Sequence, residues 1–340
     1  MHIGFGKNKL FYILKKILPL IGISIFVYII MKIGINNIAT TFLKISPIHI
    51  VIVSLLVIPG ILLTNYQWQL VLKKQKIKIS FIKSIKILLI GGFYGVISPG
   101  KIGEWIKVYY MKEETKEPYG KLFINRFITS GLSTFAYLFF LLFSAFYFSN
   151  LIPIALPISI GLIIFSIIFL VYFIKKERGE KTLYFLIKLF IPKKSKPKFF
   201  SFVNTFYKDI PSPKYFILPF LITFPLMILT YTQVYIIALS LDVQIPYIAF
   251  IMICPIIGAI SSIPISFGSL GIREISYAYF LSMYGVDLAT SVVISLSAFL
   301  IFSIPSIVLG FIFSITWPYD KVSLNKFKLK IRRKPEPWTN

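Results

Sequence analysis

The chain has 340 residues, 57% of them hydrophobic, and a formal net charge of +25. A soluble chain sits nearer half apolar, so this composition leans towards the bilayer. One cysteine, Cys254, and two isolated histidines, His2 and His49, exclude an intrachain disulfide and argue against a Cys- or His-based metal or catalytic centre.

Lys7, Lys9, Lys15 and Lys16 precede an apolar run over 17–31. The pattern resembles a signal peptide, but no small-x-small cleavage site follows, so it reads as an uncleaved first helix. Full crossings are predicted near residues 13–33, 48–71, 127–148, 154–174, 215–240 and 288–317. Each holds about 20 residues or more, enough to cross a ~30 Å hydrocarbon core. Pro19, Pro59, Pro219, Pro225 and Pro305 fall inside these spans, where neighbouring helices can re-satisfy the freed backbone groups.

Two further apolar segments are broken. Residues 81–104 are interrupted at Ser98-Pro99-Gly100, and residues 247–285 around Pro264-Ile265-Ser266-Phe267-Gly268. Proline and glycine together stop a helix, and each half is too short to cross alone. A hairpin that enters and leaves by the same face satisfies both facts. Its break must then be buried in protein or line a wet cavity.

Charge orients this arrangement. With the N-terminus in the cytoplasm and both broken segments as hairpins, 34 of the 37 Lys and Arg lie on the cytoplasmic side; Lys32, Lys44 and Arg273 do not. That bias places both termini in the cytoplasm and the chain in the cell membrane. It also explains the basic charge, so no nucleic-acid partner is expected. The stretch 175–214 reads as a basic loop that anchors topology, with 183–191 as a candidate short amphipathic helix. The tail 318–340 reads as a second basic cytoplasmic segment.

The expected fold is therefore an all-α polytopic membrane protein. It has about six full spans plus two re-entrant helical hairpins, in one membrane domain with inverted-topology halves over about 10–150 and 154–317. The hairpin breaks share a pattern, Ser-x-Gly-x-aliphatic-Gly with a nearby Glu. The first is Ser98, Pro99, Gly100, Lys101, Ile102, Gly103, then Glu104; the second is Ser266, Phe267, Gly268, Ser269, Leu270, Gly271, then Arg273 and Glu274. Interrupted apolar segments at matching positions of two halves point to an inverted-repeat transporter and its site.

These breaks supply the candidate headgroup-binding residues: Ser98, Pro99, Gly100, Lys101, Gly103, Glu104, Ser266, Gly268, Gly271, Arg273 and Glu274, with Arg126 at the start of the third span. Glycines at a helix start leave backbone amides uncovered. Amides plus the helix dipole suit a phosphate, and Lys101 and Arg273 add formal charge. Against this stand plainer readings: glycine permits the turn and close packing, and each Glu caps or braces its own half-helix. Arg126 reads first as a positive-inside anchor, with Glu104 or a lipid phosphate as its other partners. Asp242 and Asp287 read as helix-end residues. No P-loop, nucleophile elbow or metal spacing is present, so neither a catalytic residue nor a cofactor is expected.

The first break motif resembles the first-half signature of the lysylphosphatidylglycerol synthase transmembrane family, the flippase-like domain also found in the multiple peptide resistance factor. Residues 264–274, followed by Tyr284-Gly285-Val286-Asp287, resemble its second-half signature. The resemblance spans roughly 10–317 and implies movement of a lipid, or a lipid-linked sugar or amino acid, between leaflets. It carries to Pro99, Gly100, Gly103, Glu104, Gly268, Gly271, Arg273 and Glu274. The chain departs from the family pattern at Ser269 (commonly Gly), at Asn125 (usually Glu) and near Ala298, where an Arg is often found.

The expected function is a lipid flippase-like transporter acting on a phospholipid or a polyprenyl-phosphate or aminoacyl headgroup. The alternatives are a membrane-embedded transferase acting on a lipid-linked sugar, and a non-catalytic membrane partner of a glycosyltransferase or lipid synthase. The expected partners are anionic or phosphate-bearing lipids.

Overall fold

The structure is a computed structural model that describes residues 24, 26–174, 176–190, 196–208, 210–262 and 269–317. The expected tip residues Pro264, Ser266 and Gly268, and the basic tail after 317, lie outside the described residues.

The described residues are almost wholly helical, as the apolar spans dictate. The helices are α1 Phe26–Ile33, α2 Ile35–Leu43, α3 Pro47–Lys74, α4 Phe81–Val96, α5 Ile106–Thr115, α6 Tyr119–Tyr147, α7 Ala155–Ile174, α8 Lys176–Phe190, α9 Lys196–Lys208, α10 Ile217–Ser240, α11 Tyr247–Ser262, α12 Ile272–Ser282 and α13 Leu288–Thr316. Short 3₁₀ segments at Pro99–Trp105 and Pro213–Phe216 precede α5 and α10. Among the described residues, five helices are long and apolar enough to cross a bilayer, and the bent pair α1–α2 is a sixth candidate.

Helix ends follow local chemistry. Gly34 sits at φ 85°, and the chain turns 79° there between α1 and α2. Ser46 precedes Pro47, whose missing N–H costs nothing at a first helical position. Asp287 caps α13: its carboxylate accepts from the Thr290 amide at 3.0 Å and from Thr290 Oγ1 at 2.6 Å. Partial burial raises the pKa of this carboxyl, but the bonds from Thr290 and neighbouring amides outweigh it, and the group ionises below its ordinary value. The cap therefore contributes above the ordinary carboxylate pKa and is lost as pH falls through the lowered one. Asp287→Ala should cost about 1 kcal/mol at neutral pH, with the deficit vanishing in acid, read as the melting difference from the parent across pH.

Both broken segments double back. In the first, a Cβ on Gly91 would meet the Lys107 side chain, one on Gly95 would meet Glu104, and one on Gly103 would fall on the Tyr94 carbonyl. The return arm thus lies directly on α4. In the second, α12 packs back on α11, and Ser269 Oγ donates to the Ser261 carbonyl at 2.6 Å.

The two halves correspond element by element. Spans Pro47–Lys74 and Pro213–Ser240 have 28 residues each; α4 and α11 have 16 each; α6 and α13 have 29 each. The first two pairs share one sequence offset, which also maps Pro47 on Pro213, Pro59 on Pro225 and Gln67 on Gln233. Packing obeys the same exchange: α4 lies along α13 while α11 lies along α6, and α3 meets α10 at the centre.

Two buried glutamines hold that centre reciprocally. Gln67 Nε2 donates to the Pro219 carbonyl at 2.9 Å and to Thr223 Oγ1 at 2.7 Å, and Gln233 Nε2 donates to the Val53 carbonyl at 3.2 Å. These bonds join the late part of each helix to the early part of the other, so α3 and α10 are antiparallel. Equivalent yet antiparallel spans put the twofold across the bundle, which makes the repeat an inverted one.

Two expectations are corrected, and a third falls largely outside the described residues. The third span begins at Tyr119, eight residues before the expected 127, so Arg126 lies inside the helix and not at its start. Stretch 175–214 is not a plain loop: it contains α8 and α9, because apolar residues recur on one face of each. The predicted short helix over 183–191 is the second half of α8. Finally, the first expected crossing, 13–33, is described only at residues 24 and 26–33.

Candidate functional site

The first cluster forms on the return arm of the first hairpin. Glu104 Oε2 pairs with Arg126, reaching across from α6, and with Lys107 Nζ at 3.4 Å. Two cations thus face one carboxylate, leaving a net positive charge. Lys107 is buried, and its aliphatic stem crosses α4 only because Gly91 has no side chain. Arg126 Nε is buried without a partner among the described residues.

A cavity of about 80 Å³ opens beside this pair. Thr64, Gln67, Lys107, Asn125, Arg126 and Thr129 contribute its polar lining. The space suits several waters or one small anionic group, and is well below the ~300 Å³ or more of a pocket that engulfs a whole ligand. Asn125 accepts from Trp68 Nε1 at 2.8 Å and donates to Gln75 Oε1 at 2.7 Å. It is held by neutral partners, so its neutrality fits its surroundings.

The second cluster repeats the plan. Glu274 is fully buried. Its Oε1 accepts from Arg273 at 2.6 and 3.2 Å and from Ser295 Oγ, on α13, at 3.0 Å; Arg273 Nε also donates to Ser295 Oγ at 2.9 Å. The guanidinium lies 4.9 Å from the Phe299 ring centre. Here charge is balanced and closed off from solvent. Ser295 is the residue that sequence reading missed. It stands seven positions into α13, as Arg126 stands seven positions into α6. It does this bonding in a span that lacks an Arg at Ala298.

The tips also match in backbone conformation. Lys101 has φ 57° and Ser269 has φ 62°, at equivalent places in the two motifs. The left-handed region favours glycine, so Ser269 and Lys101 both hold a conformation that glycine takes more easily. Lys101 itself is exposed.

The expectation of uncovered amides fails at two glycines. The Gly103 amide donates to Ser98 Oγ at 2.7 Å, and the Gly271 amide donates to Glu274 Oε2 at 2.6 Å. Both amides close the hairpins' own turns and are not free for a phosphate. The glycines serve other ends: Gly103 admits the Tyr94 carbonyl, and Gly271 takes φ 84°. Pro99 and Gly100 lie in the 3₁₀ segment between Ser98 and Trp105. Of the partners the sequence offered Arg126, the structure shows Glu104.

Depth separates the clusters. Seven residues of helix are about 10 Å, against about 43 Å for a 29-residue helix. Each cluster therefore lies well short of its span's midpoint. Because the repeat is inverted, they lie towards opposite faces. The two clusters share no residue.

The first hairpin is also buttressed from outside. Trp105 stacks on Phe123 at 5.2 Å between centroids, Phe123 meets Phe202 of α9 at 5.3 Å, and Phe127 meets Phe206 at 5.9 Å. No group of three or more His, Cys, Asp or Glu is placed to hold a metal ion among the described residues.

Inverted halves, paired hairpins and an embedded carboxylate–cation cluster in each define a multi-pass helical membrane protein with buried polar clusters. The chain belongs to the family described as lysylphosphatidylglycerol synthase TM region, whose profile matches residues 17–310. This membership relates it to lipid modification or transport at a membrane. No curated protein and no solved structure matches the chain.

Proposed function

We propose that the protein carries a phosphate-bearing lipid headgroup between leaflets, using the two hairpin clusters as half-sites. The supporting observation is the repetition of one ionic cluster at mirrored depth in antiparallel halves. An ionisable group inside a membrane is costly, and two at equivalent positions argue for a shared task. The cluster around Glu104 has surplus positive charge, an unpartnered Arg126 Nε and an adjoining polar cavity, features that favour an anion. The cluster around Glu274 is neutral and sealed, as expected of the side that is closed in alternating access. The small cavity is matched to a phosphate with the acyl chains left in lipid. The basic face is read as cytoplasmic, which puts the Glu104 cluster towards the inner leaflet of the cell membrane. On this reading the protein is a carrier and not an enzyme.

The test is translocation of a fluorescent anionic phospholipid in proteoliposomes. Arg126→Gln should slow it by about tenfold or more, the cost of losing one charge-assisted contact. The combined Glu104→Ala and Glu274→Ala protein should carry none. A folded Arg126→Gln protein working at the parent rate would overturn the reading. A covalently altered lipid in membranes holding only the pure protein would replace it with the transferase alternative.

A further inference from the structure

The helix pair α8–α9 has an outer face that none of the described residues covers. The two helices pack on each other through Ile187, Val203 and Tyr207. α9 is pressed onto the start of α6: a Cβ on Gly120 would run into Thr205 and the Phe202 carbonyl. α8 is tied to the end of α7, where Tyr172 and Thr182 hydroxyls bond at 2.9 Å. In one continuous helix those residues would stand about 15 Å apart. The chain therefore turns back, and the middle of α8 lies beside the last turn of a bilayer-crossing helix.

At that level Phe185 is 64% and Leu189 63% exposed, with Phe199 of α9 at 43%. Arg178, Lys181 and Lys188 fall on the same side of α8 as Phe185 and Leu189, by their helical spacing and exposure. Basic residues outnumber acidic ones four to two in α8 and three to none in α9. Large apolar side chains set among cations at an interface are the composition of a helix that lies in a headgroup layer. A face buried against another protein would instead be depleted of lysine at its core.

We propose that α8–α9 is a docking surface for anionic lipid headgroups of the cytoplasmic leaflet, with Phe185 and Leu189 inserted below them and Lys181 and Lys188 bound to phosphates. Each Lys near an anionic surface contributes on the order of 1 kcal/mol, so the docking depends on lipid charge. Because α9 also carries the Phe202 and Phe206 contacts to α6, the docked pair and the first hairpin share one aromatic ladder. The inference rests on the basic face being cytoplasmic and not on lipid movement.

The test is an environment-sensitive fluorophore on Phe185→Cys in the full chain, reconstituted in symmetric vesicles. Cys254 is buried and serves as the unlabelled background. In vesicles with a substantial fraction of phosphatidylglycerol, the label should be quenched by shallow nitroxide lipids and shielded from aqueous iodide. In pure phosphatidylcholine, in high salt, or with Lys181→Gln and Lys188→Gln, nitroxide quenching should fall at least twofold and iodide access rise. Phe185 is exposed, so labelling leaves the fold intact, and elution as one monodisperse species checks that. A label equally open to iodide in both lipids would overturn the proposal, as would one equally buried in both. Translocation rates do not enter these readouts.

Discussion

Glu274→Ala should be the most destabilising single change in the described part of the chain, costing about 3–5 kcal/mol. The carboxylate is fully buried and accepts from the Gly271 amide, from Arg273 twice and from Ser295. Removing it leaves the Arg273 side chain, 13% exposed, without its counter-charge inside the bundle. It also leaves the Gly271 amide unbonded at a turn of positive φ. Glu104→Ala should cost less, because that side chain is 21% exposed and water can reach the two cations left behind. Glu274→Gln should fall between, since an amide oxygen still serves Gly271. Thermal unfolding in detergent, followed by tryptophan fluorescence, ranks the three. Equal melting of Glu274→Ala and parent would show that the cluster does not brace the hairpin.

Gly103→Ala and Gly131→Ala should move stability in opposite directions. At Gly103 the added methyl meets the Tyr94 carbonyl and lies 2.7 Å from Ser98 Oγ. A backbone atom cannot rotate away, so the arms must separate, at about 1–3 kcal/mol or more. At Gly131 an added methyl meets none of the described residues within 4 Å beyond its own helix backbone, and alanine in a helix gains up to about 1 kcal/mol over glycine. The same melting assay reads both. A Gly103→Ala protein as stable as the parent would mean that the return arm does not lie against α4.

The corrections share one physical origin. Hydropathy registers how apolar a stretch is, not which atoms a glycine touches. Sequence leaves the amides of Gly103 and Gly271 uncovered because it shows neither Ser98 Oγ folding over one nor Glu274 reaching back to the other. The sequence names Glu104 only as one alternative partner of Arg126, because nothing local ranks a contact 22 residues away above an anchoring role. Stretch 175–214 was read as a loop because its charge density masks the apolar faces of α8 and α9. One signal was available: the constant offset that maps Ser46-Pro47, Pro59 and Gln67 onto Ser212-Pro213, Pro225 and Gln233. It marks the repeat, and the central glutamines, more firmly than the tip motifs do.

The amino-acid sequence by itself determined the solvent, the spans and the doubling back of both broken segments. Each of these follows from local quantities: apolar length, proline and glycine placement, and the distribution of lysine. Only the tertiary structure decided that α3 and α10 cross antiparallel through paired glutamines, that each carboxylate is claimed by its own hairpin and the following span, and that the clusters lie towards opposite faces. Those facts depend on which side chains meet across many residues of chain. Packing sets such meetings through close approach at small residues such as Gly91, Gly92 and Gly310, and no local pattern encodes it.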